Sequence, residues 1–253
     1  MHNDFGSFML FMLVGFVAQL IDGALGMAYK VSSNTFLLSM GIPPNLASAS
    51  VHLAGMFTSL VSGLSHLKFG NVDKRLVLKL AIPGIIGGAL GAFLLAKVLT
   101  GEVMVPYVSA YLVIMGVIIV IKSFRMAETH HKFRKRFVLP LGFVGGFLDS
   151  IGGGGWGPIV TTSLISTGHH PRKSIGSVNL AEFFVTVVVS FTFLLTLGFL
   201  KNWVNVAGLM LGGVLAAPLG AMLTKKLPLR WMMLAVGLLI IGLSVRTLIL
   251  AIF

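Results

Sequence analysis

An internal duplication limits what this chain can fold into more than any other feature. Gly15-Phe16-Val17, followed by Asp22 and Gly26, recurs as Gly142-Phe143-Val144, followed by Asp149 and Gly153, at an offset of 127. At that offset 15 of the 43 positions from Gly15 to Phe57 are identical without a gap, including Gly41/Gly168, Pro44/Pro171 and Ser50-Val51/Ser177-Val178. After a two-residue slip the match resumes at Leu90-Gly91-Ala92 and Leu219-Gly220-Ala221. Whatever unit forms must form twice, and a site is expected between the two copies.

Composition names the solvent. At 56% hydrophobic and 10% charged residues, the chain is far more apolar than a soluble protein of 253 residues. Six runs with almost no charge reach the roughly 20 residues a bilayer-spanning helix needs. They are Leu46–Leu67, Leu80–Leu99, Val103–Ile121, Ile175–Leu200, Trp203–Leu223 and Trp231–Phe253. The opening Met1-His2-Asn3-Asp4 lacks a basic stretch, so no cleaved signal peptide is expected. The expectation is an all-α polytopic membrane protein.

A net charge of +12 would suit a nucleic-acid partner, but it sits in short loops between spans. Lys/Arg excess marks cytoplasmic loops. With the connector Lys122–Arg136 taken as cytoplasmic, 15 of the 19 basic residues fall on that side. Lys97, Lys201 and Arg246 fall on the other, and Lys30 lies at membrane depth. The expected topology has a cytoplasmic connector and both termini outside, with no nucleic acid bound. The first copy carries charge after its third segment, at Lys68–Lys79, whereas the equivalent loop near Lys201 is nearly neutral. Equivalent loops thus face opposite sides. This predicts two inverted-topology repeats, 1–124 and 137–253, joined by the basic connector 125–136.

Each copy opens by breaking the helical rules. Phe8–Ile21 reads as helix, then comes Asp22-Gly23-Ala24-Leu25-Gly26, then a short run from Val31 to Met40. Phe137–Leu148, the stretch from Asp149 to Gly155, and Pro158–Thr167 repeat the pattern. Consecutive glycines each destabilise a helix by about 1 kcal/mol relative to alanine. Backbone freed in this way must be covered by protein or line a wet cavity. Both a re-entrant hairpin and a broken crossing satisfy these constraints, so each copy is expected to hold a broken or re-entrant pair plus three full spans. The two tips should meet between the copies.

A second half-helix that begins at such a tip presents free N–H groups and the positive end of its dipole, which favour anions. Lys30, Ser32, Ser33, Asn34 and Thr35 in one copy, and Thr161 and Thr162 in the other, are the candidate substrate contacts. Simple capping or interhelical bonding would use the same residues. His52 and Asn179 are equivalent, and each could bond substrate oxygens or a neighbouring helix. Ionisable groups at membrane depth need partners or a purpose. Asp22, Asp149 and Glu182 are therefore candidates for proton coupling, although the two aspartates could simply accept N–H bonds from their own loops. Glu182 has Gly55 as its first-copy counterpart.

Other chemistry is excluded. The adjacent pairs His130-His131 and His169-His170 have no Cys or carboxylate set at metal spacing, so no metal is expected. With no Cys there are no disulfides and no iron–sulfur clusters. The glycine run is not followed by Lys-Ser/Thr, so it is not a nucleotide loop. No catalytic triad, enzyme domain or cofactor is indicated. A secondary transporter of a small anion, working by alternating access, is the expectation, with a passive anion channel next and an embedded enzyme or receptor behind it.

The chain also resembles the sulfite exporter TauE/SafE family of bacterial membrane permeases over nearly its whole length. Leu20–Met27, Ala47–Ala54, Lys68–Asp73 and the Asp149–Gly157 run with Pro158 carry the resemblance. It implies outward movement of sulfite, an organosulfonate or a related small organic anion. Family members commonly hold glycine where this chain has Lys30, and the second copy keeps it as Gly157. An added cation there would alter charge preference or pair with Asp22. The anion's identity, the coupling ion and any homo-oligomer stay open.

Overall fold

A computed structural model describes residues 2–99, 103–124, 137–198, 203–223 and 229–252. Most of the connector, and the loops holding Lys201, Lys225 and Lys226, lie outside the described residues. Among the described residues every regular element is helical. The first half contains α1 (His2–Leu25), α2 (Tyr29–Ser39), α3 (Pro44–Lys68), α4 (Lys74–Lys97) and α5 (Met104–Phe124). The second contains α6 (Val138–Gly152), a π-helical turn (Gly157–Thr161) leading into α7 (Thr162–Ser166), α8 (Pro171–Leu197), α9 (Trp203–Leu223) and α10 (Leu229–Ile252).

Among the described residues, seven helices are long and apolar enough to cross a membrane. They include the six expected runs and add Phe5–Leu25, whereas α6 is a shorter apolar helix. Large apolar side chains such as Leu195, Leu250, Ile82 and Leu78 point outward, while Ser48, Asn179, His52 and Asp149 are buried inside. Lipid rather than water surrounds a surface of that kind.

Local chemistry explains the helix ends. Pro44 and Pro171, equivalent residues, stand at the first positions of α3 and α8, where a missing N–H costs nothing. Asp73 caps α4 by accepting from the N–H groups of Arg75 at 2.9 Å and Leu76 at 3.3 Å. The loop before it docks on α8, whose Lys173 Nζ donates to the carbonyls of Gly70 and Val72 at 2.8 and 3.1 Å.

The expected breaks fall one turn later than the sequence suggests. α1 runs on to Leu25 and α6 to Gly152, so Asp22 and Asp149 sit in the last helical turns rather than on the loops. Helix continues until the backbone must turn left-handed, at Gly26 (φ 70°) and its equivalent Gly153 (φ 64°). In the first half the turn also forces Ala28 to φ 121°, a conformation that L-residues with a Cβ rarely adopt.

The halves interlock by exchanging partners. α1 packs on α9 and α4 on α6; α3 meets α9 and α8, and α5 meets α10. Glycine permits this proximity. A Cβ on Gly142 would meet Leu80 backbone, and the equivalent Gly15 stands against Leu209 backbone. Gly220 lies against Gly23, and its equivalent Gly91 against Ser150 and Phe147. Small residues are how helices approach closely where lipid supplies no hydrophobic drive between them. Replacing Gly146, which faces the Gly84 backbone, with valine should cost at least the 1–3 kcal/mol typical of overpacking. Gly242→Ala, with nothing within 4 Å and alanine the better helix former, should not lower the thermal midpoint in detergent.

Candidate functional site

The two tips meet, and each clasps the other. Asn34 Nδ2, on α2, donates to the Gly152 carbonyl at 2.9 Å, while Thr161 Oγ1, its equivalent, donates to the Gly26 carbonyl at 2.7 Å. Backbone touches backbone around these bonds: a Cβ at Gly157 would meet Met27, and one at Gly154 would meet Val31.

Asp149 sits at the centre of this junction and is completely buried. Its Oδ1 accepts from the N–H groups of Gly155 and Trp156, both at 2.9 Å, closing its own loop. Its Oδ2 faces two other helices, pairing with Lys30 Nζ from α2 and lying 3.0 Å from His52 Nε2 on α3. Asp22 repeats the first role only, accepting from the Tyr29 N–H at 3.2 Å; Tyr29 and Trp156 are equivalent.

Lys30 is held on three sides. Besides Asp149, its ammonium lies 2.9 Å from Glu182 Oε1 and donates to Thr186 Oγ1 at 3.4 Å, both on α8. It therefore pairs with Asp149 and Glu182 rather than with Asp22. The room for its aliphatic stem comes from Gly55, whose missing Cβ would touch Lys30 Cγ and Cδ at 3.6 Å. Gly55 is the counterpart of Glu182, and Gly157 the counterpart of Lys30. The two departures from the repeat thus neutralise one another across the junction. Two charges taken out of water need such contacts, because desolvation costs several kcal/mol per ion.

His52 is fixed from both ends. Its Nδ1 is 2.7 Å from the Ser48 carbonyl, and Phe193 packs on the ring with centroids 6.0 Å apart. Ser48 Oγ in turn donates to the Ser150 carbonyl at 2.7 Å. The equivalent Asn179 accepts from Ser62 Oγ at 2.8 Å and donates to the Ile175 carbonyl at 3.1 Å, and Thr162 Oγ1 is bonded to the Pro158 carbonyl.

Among the sequence candidates, unspent polar atoms lie on α2. Ser32 Oγ, Ser33 Oγ, Asn34 Oδ1 and Thr35 Oγ1 are buried without a partner. Tyr111 Oη, on α5, is also buried and unpartnered, and it lies over Gly155. Tyr111, Thr186 and Ser48 are not apparent from the duplication. Thr186 and Ser48 do stand one helical turn from Glu182 and His52, a spacing that puts each pair on one face. Outside the spans, His169 contacts Ser174 Oγ at 2.7 Å, and burial holds its imidazole below the usual value.

Helices sized for a bilayer around a buried polar junction define a multi-pass membrane protein. The chain belongs to the Sulfite exporter TauE/SafE family, whose profile matches residues 11–247. It is 45% identical over 247 residues to "Probable membrane transporter protein YtnM" of Bacillus subtilis (strain 168), covering 95% of this chain and 82% of that one. It is 27% identical over 156 residues to "Probable membrane transporter protein ORF9" of Sinorhizobium sp, covering 61% and 59%. No solved structure matches.

Among the described residues Lys30 is the cation that both Asp149 and Glu182 contact, and removing it strands their charges. Lys30→Met should lose about 3–5 kcal/mol of stability, as breaking a buried pair does. Adding Glu182→Gln should restore part of that loss in thermal unfolding of purified protein; a double variant no more stable than Lys30→Met would remove the pair from the stability argument.

Proposed function

We propose that this protein is a secondary transporter that exports a small anion, such as sulfite, an organosulfonate or a related organic anion, by alternating access. The observation that carries the reading is the mutual clasp of the two tips, with a charged cluster fully buried at their junction. Inverted repeats 1–124 and 137–253 would rock about that junction, exposing it to one side and then the other. The cluster is sealed, with Lys30 at 4% and Asp149 and His52 at 0% exposure, which corresponds to an occluded conformation.

The anion's contacts are the unspent hydroxyls on α2, those of Ser32, Ser33 and Thr35, in the first turns beside Lys30; Asn34 spends its amide N–H on the clasp, and its free oxygen is an acceptor. Hydroxyl donors with a helix N-terminus and a nearby cation suit an oxyanion. Lys30 reaches the anion only by loosening its hold on Asp149 or Glu182, which ties substrate arrival to a change in the cluster. Thr161, Thr162 and Asn179 serve the clasp and the helices around it. Asp22, Asp149 and Glu182 supply carboxylates for proton coupling. The basic connector faces the cytoplasm, both termini face outward, and the inner membrane of a bacterium is the setting. The transporter names of the relatives agree with this reading.

Thermal stability of detergent-purified protein against sulfite, sulfate, thiosulfate, a taurine-like sulfonate, sulfoacetate and small carboxylates tests it first. A ligand at a hundredfold its Kd should stabilise the protein by about 2.7 kcal/mol. The shift should be selective for one anion class and vanish in Ser33→Ala/Thr35→Val. A folded protein that no anion stabilises would overturn the anion site. Flux in proteoliposomes that never saturates and ignores imposed gradients would replace the transporter by a channel.

A further inference from the structure

We infer that the His52–Asp149 pair is a proton-binding site, holding one proton beyond those of a neutral imidazole and an ionised carboxylate. The case rests on counting donors. His52 Nδ1 lies 2.7 Å from the Ser48 carbonyl, which can only accept, so Nδ1 carries hydrogen. Ser48 Oγ, 3.3 Å from the same nitrogen, cannot supply that hydrogen, because its single O–H is given to the Ser150 carbonyl at 2.7 Å. In a neutral ring Nε2 would then be bare. Yet Nε2 stands 3.0 Å from Asp149 Oδ2, and a lone pair facing a carboxylate oxygen repels it.

Among the described residues, no donor bonded to this pair repairs the contact. Asp149 Oδ1 already accepts two backbone N–H groups, so a proton on this carboxyl would reside on Oδ2. The three ammonium hydrogens of Lys30 match its three acceptors, Asp149 Oδ2, Glu182 Oε1 and Thr186 Oγ1, leaving none to bridge Nε2 and Oδ2. One further proton, on Nε2 or on Oδ2, completes the hydrogen bonding. It comes from water and returns to water, making and breaking only an N–H or O–H bond.

Charge balance points the same way. Among the four groups in direct contact, that proton lets Lys30 and His52 offset Asp149 and Glu182, with the buried Asp22 carboxyl standing outside this count. Without it, a buried cluster carries an uncompensated negative charge, which the interior strongly disfavours. The charged groups around the ring come from every side: Lys30 on α2, Asp149 on α6 and Glu182 on α8, with Asp22 on α1 within electrostatic reach of Lys30 and Glu182. Tyr111 on α5 lies within reach of Asp149. The proton is therefore retained while the junction is sealed and exchangeable once it opens. The site stands without any substrate; only its role as the coupling site rests on the transporter reading.

The test is direct. Protein labelled with 15N-histidine is examined by NMR in nanodiscs at neutral pH, with His52 assigned by its absence in His52→Gln. Infrared spectra of wild type and Asp149→Asn are recorded alongside. Hydrogen on both His52 nitrogens supports the proposal. So does a single N–H together with a carboxylic-acid band that Asp149→Asn removes. One N–H with no such band overturns it. Should His52→Gln not fold, Ser48→Ala identifies the ring by moving the same resonances. Both readouts use resting protein, so failure of every anion to bind would strike the transport reading and leave this result intact.

Discussion

Everything at the centre of this molecule depends on how one carboxylate divides its two oxygens. Oδ1 of Asp149 closes its own Gly-rich loop on the N–H groups of Gly155 and Trp156, a purely local task. Oδ2 reaches outward to α2 and α3 through Lys30 and His52. Local folding of the tip and assembly of the two halves thus share a single side chain. Asp22 has kept the local task alone, with Tyr29 as donor. The equivalent tips share the left-handed glycine that ends the helix, Gly26 and Gly153, and differ in charge.

Around that point the fold is a problem of proximity. Helices cannot bring Lys30, His52, Asp149 and Glu182 together unless α1 and α9, and likewise α4 and α6, pack backbone to backbone. Gly15, Gly142, Gly146 and Gly220 remove the side chains that would prevent it. Polar packing then replaces the hydrophobic effect, which offers little between helices already in lipid. The hydroxyls of Ser48, Ser62 and Thr161 each spend their hydrogen on a specific acceptor across the junction.

Much of this was legible in the sequence, for identifiable reasons. The duplication located Asp22 and Asp149 at matched places, because identical residues at a fixed offset must solve the same local problem. Runs of apolar residues located the spans. The ends of α1 and α6 were set one turn short, since Asp and Ser lower helix propensity without ending a helix, whereas Gly26 and Gly153 end it by turning left-handed. The partner of Lys30 was not legible. Asp22 is near in sequence, yet Asp149, 119 residues away, takes the ammonium because the tips cross rather than fold back on themselves. The partner of Glu182 is hidden for the same reason. Its counterpart Gly55 gave the only hint, and its meaning, space for a lysine stem, needs three dimensions.

That reciprocal substitution has a historical consequence. A duplicated ancestor with matched halves would have carried the same residue at both members of each pair of positions, 30 with 157 and 55 with 182. Lys30 arriving alone would have brought an extra cation into the junction, and Glu182 arriving alone an extra anion. Lys30 alone would still meet Asp149, whereas Glu182 relies on Lys30 for its counter-charge. Glu182 should therefore not precede Lys30, and a lineage that acquired both would find the return path closed at the loss of Lys30.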